Sequence, residues 1–287
     1  MKIEKYLKVQ GDTPAALQQL IKICQEHDGY KTEIDIDTSM NAAQDMHGLY
    51  TYEEGGLKAL LSVFAPMRDE IEINALVHPD YRCKGVFRSL VRETVKVCST
   101  FGYAKGLFIC ASEPCRRVME NWGLSIDHVE LQMSCDVREN TKAPVNTALV
   151  IRQADHSDID KMAQIGAAAF GGDADSEKEF LKNALSVQNR IQYIMESEGR
   201  SAGLCAASEN GGKLMIYGLG VHPDERRKGY AQAMLRHVEK EAAERGIKKL
   251  GLDVDEDNLG AIALYKSFGF TVTGRTEYYK FEFDAFR

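Results

Sequence analysis

The sequence predicts a mixed α/β fold, a mainly antiparallel sheet with flanking helices, built twice in tandem. Three observations carry this. The frame Val-His-Pro-Asp-x-Arg-x-Lys-Gly occurs at residues 77–85 and again at 221–229, an offset of 144 in a chain of 287. Gly102 and Gly246 keep that offset, whereas Asn121-Trp122-Gly123-Leu124 matches Ser267-Phe268-Gly269-Phe270 at 146, so the first copy has lost two residues between Leu107 and Met119. Strand-like and helix-like apolar patterns then follow in the same order in both halves.

In the first half the patterns predict strand 3–9, helix 14–26 and strands near 49–52, 57–64 and 70–77. Helix 86–101, strand 105–110, a short helix ending near Trp122 and strand 127–137 follow. The second half begins with strand 149–153, amphipathic helices 156–170 and 176–187, and strands 191–197, 202–208 and 213–221. A helix over about 229–245 places Ala231, Leu235, Val238 and Ala242 on one face, and Gly246 closes it. Strand 249–254, helix 259–268 and two strands within 270–283 complete the copy. The polar stretch around Pro144 marks a linker, which divides the chain into 1–140, 141–148 and 149–287.

Composition limits the function classes. Through Val145 there are 17 basic and 21 acidic residues and after it 19 and 22, so the halves carry −4 and −3 and neither has the basic excess of a nucleic-acid binder. Seven scattered cysteines without a Cys-x-x-Cys pair, and no apolar leader at the N-terminus, predict a reduced cytoplasmic protein with buried thiols and no metal. No apolar run approaches the roughly 18 residues of a membrane span.

The chemistry concentrates after the second Val-His-Pro. Arg226-Arg227-Lys228-Gly229-Tyr230-Ala231 fits Arg/Gln-x-x-Gly-x-Gly/Ala, a turn that can aim backbone N–H groups and a positive helix end at an anion. Asn258-Leu259-Gly260-Ala261-Ile262-Ala263-Leu264-Tyr265 follows, then Gly269-Phe270. With these motifs the chain resembles the GNAT superfamily of acetyl-CoA-dependent N-acetyltransferases, over nearly its whole length and more closely in the second half.

The resemblance implies specific roles. The backbone of Arg226, Arg227, Lys228, Gly229, Tyr230, Ala231 and Gln232 would cradle the pyrophosphate of acetyl-CoA. Leu219, Gly220 and Val221 would form the strand edge that binds the pantetheine arm and acetyl oxygen, and Asn258 would touch the cosubstrate. Gly220 within a strand independently suggests a bulge or a close backbone approach. Acetyl transfer needs a neutral amine, an oxyanion donor and a proton for the departing thiolate. Tyr265 is the candidate acid and Asp253, five residues before Asn258, the candidate base. His78 and His222 precede proline at strand–helix corners and read as structural. The acidic segment 171–187 borders the expected acceptor site, although its carboxylates also suit a helix start.

By offset, Ala231 becomes Phe87, Asp253 becomes Ile109 and Tyr265 becomes Met119, with the deletion falling near Asp255 to Asn258. Isoleucine and methionine transfer no proton. The first copy is therefore expected to keep the fold without the chemistry, as the resemblance to tandem mycothiol synthases also implies. The resulting reading is acetyl transfer to a primary amine, small molecule or peptide, in the second domain, with a non-catalytic acyl-CoA-binding or sensing protein as the alternative. It includes no nucleic acid or membrane partner and leaves homodimer formation and the acceptor open.

Overall fold

The computed structural model describes residues 2–8, 13–29, 34, 36–138 and 149–287; the linker expected at 141–148 lies outside them. The chain forms two compact units, one of Met1–Asp127 with Glu277–Arg287 and the other of His128–Thr276.

In the first unit β1 (Lys2–Tyr6), β2 (Leu49–Glu53), β3 (Leu57–Phe64) and β4 (Ile71–Val77) run antiparallel in order. The crossover through α2 (Val86–Thr100) then makes β5 (Lys105–Cys110) parallel to β4. Helix α1 (Thr13–Asp28) buries Leu17, Leu20 and Cys24 against Leu60 and Leu76. On the other face α2 buries Val86, Leu90, Val91, Val95 and Cys98 in the main core, a spacing of three and four residues that fits one helical stripe. Helix α3 (Glu113–Asn121) follows β5.

The second unit repeats this order. After β6 (Ile126–Asp136), strands β7 (Leu149–Gln153), β8 (Arg190–Ser197), β9 (Arg200–Asn210) and β10 (Lys213–Val221) form an antiparallel ladder. Strand β11 (Lys249–Asp255) lies parallel to β10. Helices α4 (Ile159–Phe170) and α5 (Ala174–Ser186) cover one face around Ile194 and Leu204. Helices α6 (Tyr230–Glu244) and α7 (Leu259–Phe268) cover the other, burying Met234, Leu235, Val238 and Ala242 against Leu214, Ile216, Leu250 and Leu252.

Two sequence expectations change here. The two strands expected in 270–283 are one strand, β12 (Thr271–Glu282), whose residues through Thr276 belong to the second unit and whose remainder pairs with β5 in the first. Strand β6, read as the end of the first copy, is paired with β11 from Lys249↔Asp136 to Asp255↔Glu130. The physical reason is edge pairing: β11 and β5 each have a second edge whose N–H and C=O groups need a partner, and local periodicity does not say which strand supplies it.

The thiols also differ from expectation. Cys110 and Cys115 form a disulfide, Cys83 is exposed and Cys135 is half-buried; only Cys24, Cys98 and Cys205 are buried free thiols. Cys110 ends β5 and Cys115 lies in the first turn of α3, so the short β5–α3 connection brings two cysteines five residues apart together.

Candidate active site

Strand β10 carries an extra residue in its middle. It pairs with β9 at Tyr217↔Ala206 and next at Gly220↔Leu204, and Gly218 between them takes φ +53°, a left-handed conformation suited to glycine. Of the two roles the sequence offered for Gly220, bulge or close approach, the bulge falls on Gly218 and the close approach is at Gly220. Gly220 instead makes room for a neighbour, since a Cβ there would stand 2.8 Å from Cζ of Phe170 at the end of α4.

The bulge coincides with a break on the other side of β10. Parallel pairing with β11 runs from Leu214↔Leu250 to Ile216↔Leu252 and goes no further. Beyond this point the strands part, with Leu219, Gly220 and Val221 on one side and Asp253 on the other. The first unit lacks the bulge, since β3 and β4 keep one register from Ala59↔Val77 to Phe64↔Glu72.

After β10 the chain turns into α6 through two left-handed residues, Arg227 at φ +66° and Gly229 at +80°, the latter capping the helix. Positive-φ residues at this spacing before a helix shape a concavity of backbone N–H groups, to which the positive end of α6 adds. Cys83 at φ +59° and Gly85 at +78° give the first unit the same turn, so the turn belongs to the scaffold.

Several side chains named from the motif are spent on this scaffold. Arg226 Nε donates to the carbonyl of Val221 at 3.3 Å and Nη2 to that of Ala169 at 3.2 Å, which fastens the end of β10 to α4. Its counterpart Arg82 donates to Val77 O at 3.0 Å and clamps Asp28 at 2.6 and 2.7 Å. Lys228 pairs with Glu225 at 2.8 Å. Tyr230 is tied through its hydroxyl to Ser197 at 2.7 Å, while Ala231 and Gln232 follow in the first turn of α6. His222 Nδ1 accepts from Asp224 N at 3.4 Å and His78 Nδ1 from Asp80 N at 3.2 Å, the same capping role in both copies.

Asn258 caps α7, its Oδ1 accepting from Ala261 N at 3.1 Å. The first copy keeps a cap at this place in Ser112, whose Oγ accepts from Cys115 N at 3.3 Å, so the deletion spares the capping position. Tyr265 lies on the buried side of α7, 8% exposed and packed near Phe270, and burial pushes its phenol up to about 12. Asp253 is exposed on β11 between Leu252 and Val254, whose side chains enter the α6/α7 core. Strand alternation therefore turns Asp253 away from the face of β11 on which Leu252, Val254 and the core that includes Tyr265 pack.

The corresponding space in the first unit is filled. The Phe87 ring stacks on Trp122 at 5.2 Å with 6° between planes and meets Phe108 edge-on at 5.8 Å. Trp122 and Phe108 also meet Phe286, and Phe108 stacks on Phe281 at 4.2 Å. The Phe87 ring is partly buried and packs against the core beside β5 and the end of α3. Met119, in the place of Tyr265, is fully buried.

Among the described residues no cluster of histidine, cysteine and carboxylate side chains could hold a metal, and no helix is long and apolar enough to cross a membrane. In the acidic segment, Asp173 caps α5 through Asp175 N at 2.9 Å and Ser176 N at 3.2 Å, and Lys178 pairs with Asp160 at 2.9 Å. These contacts fit a helix start.

Over 217 residues the chain is 28% identical to a mycothiol acetyltransferase of Clavibacter sepedonicus, covering 70% of this chain and 69% of that one. Over 90 residues it is 35% identical to an acetyltransferase of Yersinia pestis (strain Pestoides F), which covers 31% of this chain and 64%, just under two thirds, of that relative. In fold it matches a tandem GNAT protein from the clavulanic acid biosynthesis pathway, with a TM-score of 0.71 over 98% of both chains at 12% identity. Residues 159–270 match the model of the acetyltransferase (GNAT) family. The match to the GNAT acetyltransferase family thus lies in the second unit, and the chain as a whole resembles a tandem GNAT protein in fold.

Proposed function

We propose that the protein transfers the acetyl group of acetyl-CoA to a primary amine, and that the reaction takes place in the second unit. The observation that carries this reading is the bulge at Gly218 beside the parted ends of β10 and β11; in the first unit β4 and β5 also part after three pairs, but the β3–β4 ladder has no bulge and Phe87 stacks on Trp122.

The turn at Arg227 and Gly229, with the first turn of α6, receives the pyrophosphate; small Ala231 leaves it room. Leu219, Gly220 and Val221 offer an unpaired strand edge to the pantetheine amides. A backbone N–H released at the bulge stabilises the oxyanion as the amine attacks the thioester carbonyl. Asp253, directly or through water, takes a proton from the amine. Tyr265, kept protonated by burial, gives a proton to the departing thiolate. Amine and thioester thus become amide and free coenzyme A thiol, with the proton count balanced.

Turnover on a panel of amines, followed by release of coenzyme A thiol, tests this reading together with acetyl-CoA calorimetry. We expect amide formation and one acetyl-CoA bound per chain. Tight binding with no turnover on any amine would favour an acyl-CoA sensor, and two bound molecules would return the first unit to consideration.

A further inference from the structure

Strand β8 opens with a cation that has no anion. The guanidinium of Arg190 lies 4.4 Å from the ring centroid of Tyr217 on β10 and 6.0 Å from that of Phe180 on α5. No carboxylate lies within ion-pair distance of it among the described residues. Its Nε is buried without a hydrogen-bond partner. Two residues along, Gln192 is 3% exposed and its Nε2 is likewise buried and unpartnered. Residues two apart on a strand share a face, here that of Ile194, which packs in the α4/α5 core. Burial lowers the Arg190 pKa and only Tyr217 counters it, in keeping with the absence of a carboxylate.

The position gives these donors meaning. Tyr217 immediately precedes the bulge residue Gly218. It follows Ile216, as Asp253 follows Leu252, at the last parallel pair of β10 and β11. Ile216 and Leu252 both enter the α6/α7 core, so Tyr217 and Asp253 face the α4/α5 side together. Arg190 therefore stands one aromatic ring away from the bulge and on the same face as the candidate base. With an aromatic neighbour at 4.4 Å and a buried, unpartnered Nε, the guanidinium suits a carboxylate better than a lone surface cation would.

We propose that Arg190, with Gln192, binds a carboxylate of the acceptor, so that the substrate is an amine that also carries a carboxylate, an amino acid or a short peptide. The proposal rests on acetyl transfer in the second unit. Asp253 deals with the amine end, and Arg190 with the acid end.

The test uses the full-length protein and matched pairs, each an amino acid and its amide, in a series that lengthens the spacing from glycine through β-alanine to γ-aminobutyrate. Comparing each pair in wild type and Arg190→Gln cancels the intrinsic reactivity of the amines. Wild type should favour the acid at its best spacing, and Arg190→Gln should shrink the acid-to-amide ratio of kcat/KM by about 10- to 100-fold, the range of a charge-assisted contact. Arg190→Lys, which keeps the charge without the fork, should fall between and serves if the glutamine variant does not fold. A purely structural arginine would lower both members of a pair alike, and an unchanged ratio overturns the proposal.

A second readout does not need turnover. In the presence of coenzyme A, N-acetyl-amino acids should bind wild type more tightly than their amides by calorimetry, and Arg190→Gln should abolish the difference. If no amine is acetylated yet this difference stands, the acetyl-transfer reading fails and the anion site survives. If wild type binds acid and amide equally, the anion site fails whatever the turnover.

Discussion

At the scale of single residues, the strand-to-helix turn is common to both copies and the chemical differences stand around it. The left-handed turn and its histidine cap are present twice, so neither distinguishes a working site. Tyr265, the proposed acid, has Met119 as its counterpart, which has no proton to give. Tyr265→Phe should lower kcat by about 100-fold, the lower end of what a positioned acid contributes, with little change in acetyl-CoA affinity. Since burial holds the phenol at about 12, loss of the acid form should not bend the pH profile of kcat downward below about pH 11. A descending limb near pH 9 would remove Tyr265 from the acid role. The thiols give a separate check. Titration of denatured, unreduced protein should find five free thiols, and seven after reduction, because Cys110 and Cys115 are joined.

At the scale of elements, local chemistry accounts for starts and stops, and long-range pairing accounts for the site. The turn entering α4 is a reciprocal cap: Asp155 accepts from Ser157 N at 2.7 Å, and Asp158 accepts from Asp155 N at 3.0 Å. Asp158 is also gripped by both terminal nitrogens of Arg152 at 2.7 Å, and that hydrogen bonding first, against the cost of burial, lowers its carboxyl to about 2. A carboxyl lowered in the folded state adds stability above its ordinary pKa near 4 and loses it as pH falls through 2. Asp158→Asn should therefore cost about 2 kcal/mol at neutral pH. In thermal unfolding the gap to wild type should close between about pH 4 and pH 2. A gap that persists unchanged at pH 2 would show that the ion pair is not its source.

At the scale of the molecule, the two units are not successive halves of the chain: the first is discontinuous and the second is a single stretch within it. The first includes Glu277–Arg287, with Phe281, Phe283 and Phe286 buried in its core, and the second includes β6 from His128 onward. Each buried phenylalanine is worth about 3–5 kcal/mol against truncation, so losing three exceeds the usual margin of about 5–15 kcal/mol for a domain. A chain ending at Thr276 should unfold the first unit. Trp122, the only tryptophan, packs against Phe286 there and reports on it directly. Its emission should shift to the red and proteolysis should cut the first unit preferentially; native emission after the truncation would contradict this assignment.

What the sequence determined by itself is local and repeated. The 144-residue offset, the order of strands and helices, the turn around Gly229 and the contrast of Tyr265 with Met119 are all legible from periodicity, glycine placement and side-chain chemistry. Segments such as 156–170 and 213–221 agree closely with α4 and β10 because helical and strand periods are properties of short windows. Only the tertiary structure decided which strand completes which sheet, that Gly218 rather than Gly220 forms the bulge, that Arg226 braces β10 and that Arg190 has no anion. Each depends on pairing between residues far apart in the chain, where the free energy of closing an edge or matching a charge is set by whichever partner the fold delivers.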